Sequence, residues 1–292
     1  MNDVLAAPAA SDAGAGAGWR AELALGFSTD ASGATRLSFR KHRGPLVVQR
    51  PFHPEGPAVP HVYVLHPPGG LVGGDRVRLQ VDVARGGHAL LTTPAATKVY
   101  RTAGPLATLT QELAVGPDAA LEWLPQENIL HDGAHAELVT QVALAEGARF
   151  VGVDTVCFGL PARGETFATG RCAQRFEVRR GNRPILIERG RFDARDPLHG
   201  APWGLDGARV HGLMVVAPAP AGAALLAEAR AAAAAVERGR AGVTVLHGGD
   251  VLVGRYLGPS AEHARLFFQS LWVIVRPAVL GRAAVAPRIW AT

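Results

Sequence analysis

His66-Pro67-Pro68-Gly69-Gly70-Leu71-Val72-Gly73-Gly74-Asp75 leads directly into Arg76-Val77-Arg78-Leu79-Gln80-Val81-Asp82-Val83. In the second half Val77, Leu79, Val81 and Val83 alternate with Arg76, Arg78, Gln80 and Asp82. Successive side chains on a strand point to opposite faces, so this period marks a half-buried strand. The first half is a tightly folded connection, because glycine tolerates positive φ and close backbone approach. After Gly86-Gly87 a second strand is expected over 88–92. It ends in Thr92, Thr93, Thr97 and Lys98, where a core strand would carry aliphatics. An acid, three hydroxyls and a lysine on adjacent turns predict a polar groove or a contact surface.

The strand-turn-strand unit recurs. Val83-Ala84-Arg85-Gly86-Gly87-His88-Ala89-Leu90-Leu91 resembles Val115-Gly116-Pro117-Asp118-Ala119-Ala120-Leu121-Glu122 and Leu144-Ala145-Glu146-Gly147-Ala148-Arg149-Phe150-Val151. The spacing is about 30 residues, within the range where repeats mean stacked units. One such unit cannot bury its own apolar face, and stacking does that. The expected fold is therefore mainly β: a stacked-sheet, β-helix-like (solenoid-like) domain with a small helical part near the C-terminus. Further strands read at 21–27, 35–40, 46–49, 62–65, 107–115, 120–124, 137–144, 149–158, 171–179, 184–191 and 209–216. The alternative is an ordinary sandwich whose turns share the same chemistry.

Residues 1–18 are an Ala/Gly/Ser/Pro tract, expected to be a disordered tail. The rest, 19–292, reads as one domain: a β stack over 19–216, then a helical and strand part over 217–292. Composition shifts at Ala217-Pro218-Ala219-Pro220. A helix over 221–238 follows on propensity, closed by Gly239. Strands at 243–246 and 251–257 flank His247-Gly248-Gly249-Asp250. Ser260 then caps a helix over 261–275. Its Leu266, Phe267, Leu271 and Trp272, with Ile274 and Val275, cover more than one face. Such a helix is either sandwiched or available to a partner.

Hydrophobic content of 48% against 19% charged residues marks a folded, globular chain. The net charge of +5 rests almost wholly on arginine, since Lys41 and Lys98 are the only lysines. Nucleic-acid binding is not expected: the dense basic patches, 40–43 and 179–180, read as solvated strand ends without interleaved aromatics. Two cysteines, Cys157 and Cys172, are too few for a disulfide framework or zinc knuckle. A cytoplasmic protein is expected, with no secretory signal pattern and no apolar run of about 18 residues to span a membrane.

Catalytic motifs are missing. There is no Gly-x-Ser-x-Gly elbow and no Walker loop. His131-Asp132-Gly133-Ala134-His135 offers three ligand types but lacks the one-face geometry of a helical metal pair, so a turn between strands is the preferred reading. Asp75, Glu127, Asp132 and Glu188 stand at strand ends or beside turns. Stacked sheets could bring such acids to one channel, where they conduct a cation through weak oxygen contacts. The rival is a β-solenoid carbohydrate-active enzyme using two of them as paired carboxylates.

Three blocks together carry a resemblance: His66 to Asp75 as quoted above, Leu91-Thr92-Thr93-Pro94-Ala95-Ala96-Thr97-Lys98-Val99-Tyr100-Arg101, and Leu121-Glu122-Trp123-Leu124-Pro125-Gln126-Glu127. In order and spacing they are similar to the urease accessory protein UreD (UreH) family, a resemblance that extends from about Leu37 to the C-terminus. The resemblance implies a non-catalytic cytoplasmic maturation factor that binds UreF, which recruits the GTPase UreG, and docks on the urease structural subunits. It implies transient nickel rather than a tightly bound cofactor, delivered to urease through an internal tunnel. By motif, Asp75, Thr93, Lys98, Gln126, Glu127, Asp132 and Glu188 are the expected path or its supports. For Asp132 the role is open, since His131 replaces the aromatic residue of the family's turn. The two helices, with Leu266, Phe267, Leu271 and Trp272, are the expected UreF contact.

Overall fold

Alternation of the kind seen at 76–83 pervades the chain, and the computed structural model is 47% strand and 16% helix. It describes residues 18–291; the expected tail, apart from Gly18, lies outside the described residues. The strands are β1 (Arg20–Thr29), β2 (Thr35–Arg43), β3 (Val47–Val48), β4 (His61–Leu65), β5 (Gly70–Leu71), β6 (Arg76–Val83), β7 (His88–Thr92), β8 (Thr97–Val99) and β9 (Ala107–Val115). They continue as β10 (Ala120–Trp123), β11 (Asn128–Leu130), β12 (His135–Leu144), β13 (Arg149–Phe158), β14 (Arg171–Arg180), β15 (Arg183–Asp193), β16 (Val210–Ala217), β17 (Arg240–Leu246) and β18 (Val251–Gly258). The helices are α1 (Ala223–Ala234) and α2 (Ala261–Leu280).

Seven strands form one sheet in the order β15-β14-β12-β9-β6-β1-β2. The second sheet has eleven strands, with a main path β17-β18-β16-β13-β10-β7-β4-β3 and a short column of β5, β8 and β11. From β6 to β14 the chain passes back and forth between the two, winding a β-solenoid of about four turns. Successive coils pair in parallel, Val77 with Leu109 and Leu109 with Leu138. The apolar face of each strand thus continues into the next coil and fills the space between the sheets.

The repeated turns do stack. Gly86 N–H donates to Pro117 O at 3.0 Å, and Asp118 N–H to Glu146 O at 3.1 Å. Gly86, Asp118 and Gly147 hold the same place in their turns, at φ 71°, 56° and 68°. Glycine suits that left-handed position; Asp118 tolerates it as a short polar residue.

A second apolar layer lies on the far side of the larger sheet, where α1 and α2 pack. Strand β13 is covered on both faces, which explains why its residues read as a continuous apolar run. Ser260 Oγ accepts the His263 N–H at the start of α2, and Gly281 closes it at φ 69°. The helix runs to Leu280, past the expected end at 275, with Pro277 in its final turns. Burial corrects the expected partner surface. Phe267, Leu271 and Trp272 are 3%, 0% and 2% exposed and belong to this layer; only Leu266, at 50%, faces outward. The wide apolar face is needed because the helix settles into the sheet between α1 and the C-terminal segment, as Trp272 against Trp290 shows.

Candidate functional site

The inward rows of the seven-stranded sheet are not apolar throughout. Leu79 is registered with Gln111, Gln111 with Thr140, and Leu138 with Gln174. Three successive coils therefore turn a polar side chain inward. Together with Thr93, Gln126, Asn128 and Asp154 these residues mark a hollow between the sheets. A cavity of ≈ 100 Å³ there is lined by His66, Thr93, Gln111, Gln126, Asn128 and Asp154, among others.

Its polar groups are bonded to one another. Gln111 Oε1 accepts from Trp123 Nε1 at 2.9 Å and from Thr140 Oγ1 at 3.0 Å. Thr93 Oγ1 accepts the Gln126 N–H at 2.9 Å. Asp154 receives Asn128 Nδ2 at 3.3 Å on one oxygen and Gln174 Nε2 at 2.9 Å on the other. Burial pushes the Asp154 carboxyl above its ordinary range, against the two amide donors, which favour the ionised form. Burial likewise lowers the pKa of His66, with the Asp75 charge opposing.

Two recesses adjoin the hollow. Beneath α2 a smaller cavity of ≈ 40 Å³ is lined by Gln126, Glu127, Thr155, Arg265, Gln269 and Trp272. Pro125, Gln126 and Val153 line both cavities, so this thin wall separates them. On the other side a surface recess of ≈ 340 Å³ contains Glu188, His211 and Trp203. Gln174 lines this recess, and its amide reaches Asp154 on the wall of the hollow. His211 is buried and its pKa is lowered by that burial, with Glu188 opposing.

The expected path residues divide. Thr93, Gln126 and Glu127 line the hollow or the recess under α2, and Glu188 lines the outer recess while pairing with Arg255 at 2.9 Å. Asp75, Lys98 and Asp132 line none of the three. Asp75 accepts the Trp19 and Val72 N–H groups at 2.7 and 2.8 Å, pinning the glycine turn to the start of β1. Asp132 accepts from Ala168 N and Thr169 N at 2.9 and 2.6 Å and joins two neighbouring turns. Lys98 belongs to the corner strand β8. Among the described residues no three His, Cys, Asp or Glu side chains converge on a metal-sized site. Asp75, Glu127, Asp132 and Glu188 share no common cavity, so the two-carboxylate geometry of a glycosidase is not formed by them.

Sequence reasoning missed Asp154, Gln111, Asn128, Gln174 and His211. The available signal was a polar residue breaking the inward alternation of three successive strands, and one acid inside the apolar run 151–158.

Fold and site together define a β-solenoid with a polar hollow, roofed by a helix. A model of the family described as UreD urease accessory protein matches residues 20–291. The urease accessory protein UreD of Azoarcus sp. (strain BH72) is 47% identical over 275 residues, 94% of this chain and 95% of that one. Its counterpart in Dechloromonas aromatica (strain RCB) is 48% identical over 276 residues, covering 94% and 95%. That of Pseudomonas putida (strain W619) is 43% identical over 278 residues, again covering 94% and 95%. The chain belongs to the UreD urease accessory protein family.

Proposed function

We propose that this chain is a non-catalytic maturation factor for urease, a scaffold that joins UreF, UreG and the urease subunits and passes nickel through its interior. The relatives' names support the urease role. The observation that supports passage is the chain of polar groups from the outer recess at Glu188, through Gln174 and Asp154, to Gln126 and Glu127 under α2. Such groups offer a divalent cation single oxygen contacts and no closed set of ligands. A carrier needs that balance, because a full coordination shell would retain the ion. Burial disfavours a bare carboxylate at Asp154, and an arriving cation would offset that cost at its oxygens. A cytoplasmic location fits this role, and no helix among the described residues is long and apolar enough to cross a membrane.

The test is nickel content per urease active site after maturation with purified accessory proteins. Asp154→Asn and Glu188→Ala should assemble normally and load less nickel. Normal loading by both would remove the interior path. Failure of the unaltered chain to associate with urease or its accessory proteins would remove the scaffold role itself.

A further inference from the structure

Among the described residues no element covers the outward face of the seven-stranded sheet, and the strand register arranges its side chains in rows. One row runs Arg20, Arg76, Thr108, Glu137, Ala173 and Arg191, from β1 across to β15. The next row places Arg43, Arg78, Arg175 and Arg189 around Glu22, Thr110 and Val139. Like charges are set side by side: Arg20 is registered with Arg76, and Arg175 with Arg189. Such pairs destabilise a sheet unless an anion lies between them. The chain relieves two of these arginines itself, Arg78 through Glu112 and Arg175 through Glu177. Arg20, Arg43, Arg76, Arg189 and Arg191 are exposed and have no ion-pair partner among the described residues.

We infer that this arginine band is a docking surface for an acidic segment of a partner protein. Neighbouring strands hold each arginine pair about 4.8 Å apart at the backbone, so one carboxylate can be gripped from both sides. Guanidinium forks match carboxylates in bidentate geometry. Nucleic acid is the poorer occupant, because neither row carries an aromatic side chain on which bases could stack. The band is separate from the interior path at its β1–β2–β6 end, where Arg20, Arg43 and Arg76 line none of the cavities.

The experiment follows fluorescence anisotropy of a labelled polyglutamate peptide of about 20 residues, at about 50 and about 200 mM salt. Single-stranded and duplex DNA of similar length serve as rival probes. The full chain should bind the peptide, more weakly at high salt. The triple variant Arg20→Ala/Arg43→Ala/Arg76→Ala should lose about tenfold or more in affinity, with an unchanged thermal melt. A control of equal charge, Arg50→Ala/Arg163→Ala/Arg288→Ala, should change it by no more than about threefold. Equal losses in the two triples would reduce the effect to net charge and overturn the proposal. So would no binding of the peptide, or DNA that binds more tightly and is lost with the first triple. Because no urease component is present, these outcomes leave the maturation role untouched.

Discussion

Arg276 of α2 and Glu122 of β10 lie 154 residues apart in the chain and meet with no exposure to solvent, Nε 2.9 Å from Oε2 and Nη2 3.0 Å from Oε1. Glu55 faces the guanidinium from the other side, with Nη2 and Nη1 at 2.7 and 2.9 Å from its two oxygens, and Nη1 also donates to the Ala283 carbonyl. Trp272 Nε1 and His88 Nε2 complete the Glu122 carboxylate at 2.6 and 2.8 Å. This network fastens α2, the roof of the smaller cavity, to the sheet. Removing one partner of a buried pair strands a charge, at about 3–5 kcal/mol. Arg276→Met should therefore lower the urea-unfolding free energy by about that amount. The double variant Arg276→Met/Glu122→Leu should recover part of the loss, since one of the two stranded carboxylates, that of Glu122, is then gone while Glu55 remains. Equal stability of Arg276→Met and the unaltered chain would show that the pair does not hold the helix.

The same network sets the acid limit of the fold. Burial alone would raise the Glu55 carboxyl, but hydrogen bonds and charge from His61 and Arg276 outweigh it and bring its pKa to about 2. Glu122 is lowered in the same sense, with His88 and Arg276 opposing its burial. A carboxyl depressed in the folded state stabilises fully above its unfolded pKa, about 4.3, and that stability is lost as pH falls through the folded value. Urea midpoints measured at falling pH should drop steeply between about 4.5 and 2. Glu55→Gln should start lower and show a shallower drop. Parallel curves for the two proteins would contradict the assignment.

Much of this fold is written in strict alternation and in the recurring turn at 84–87, 116–119 and 145–148, because a coil must repeat its inside face to stack. The corner strands β5, β8 and β11 are two or three residues long, too short to display any period. The run at 266–275 was ambiguous for a different reason. A helix buried on two sides and one awaiting a partner carry the same apolar width, and only the position of Trp290 and the sheet separates them. Of the residues that line the hollow and its recesses, Thr93, Gln126, Glu127 and Glu188 are among those to which the family resemblance points. Asp154 is not legible in the sequence, because its meaning depends on Asn128 and Gln174, which reach it only through the stacking of coils.

Asp154 should oppose the acidic network in its pH dependence. Its pKa is raised by burial, so its contribution to stability is greatest below the unfolded value, about 3.9, and declines as pH rises toward the folded value. Asp154→Asn removes that decline. One of the two amides that now donate to Asp154 has to present its oxygen instead, which an amide rotation supplies. The variant should match or exceed the unaltered chain in unfolding free energy at pH 8, and lose that advantage near pH 4. A marked destabilisation at pH 8 would mean that the carboxylate is charged and structurally required.

The stacked turns supply a test of the solenoid itself. Gly147 sits at φ 68°, and a Cβ added there would meet Asp118 Oδ1 at 2.3 Å, in the turn of the preceding coil. Gly147→Ala therefore combines left-handed strain with a contact between coils, together about 1–3 kcal/mol. Asp118→Gly by itself relieves a strained φ of 56° and removes only an exposed ion pair with Arg85, so it should be neutral or stabilising by up to about 1 kcal/mol. In the double variant the clash partner is gone and only the strain at residue 147 remains. The double should thus be more stable than the two single effects added together. Strict additivity in urea unfolding would mean that the Asp118 side chain swings clear of residue 147 and that the two positions do not couple across this corner.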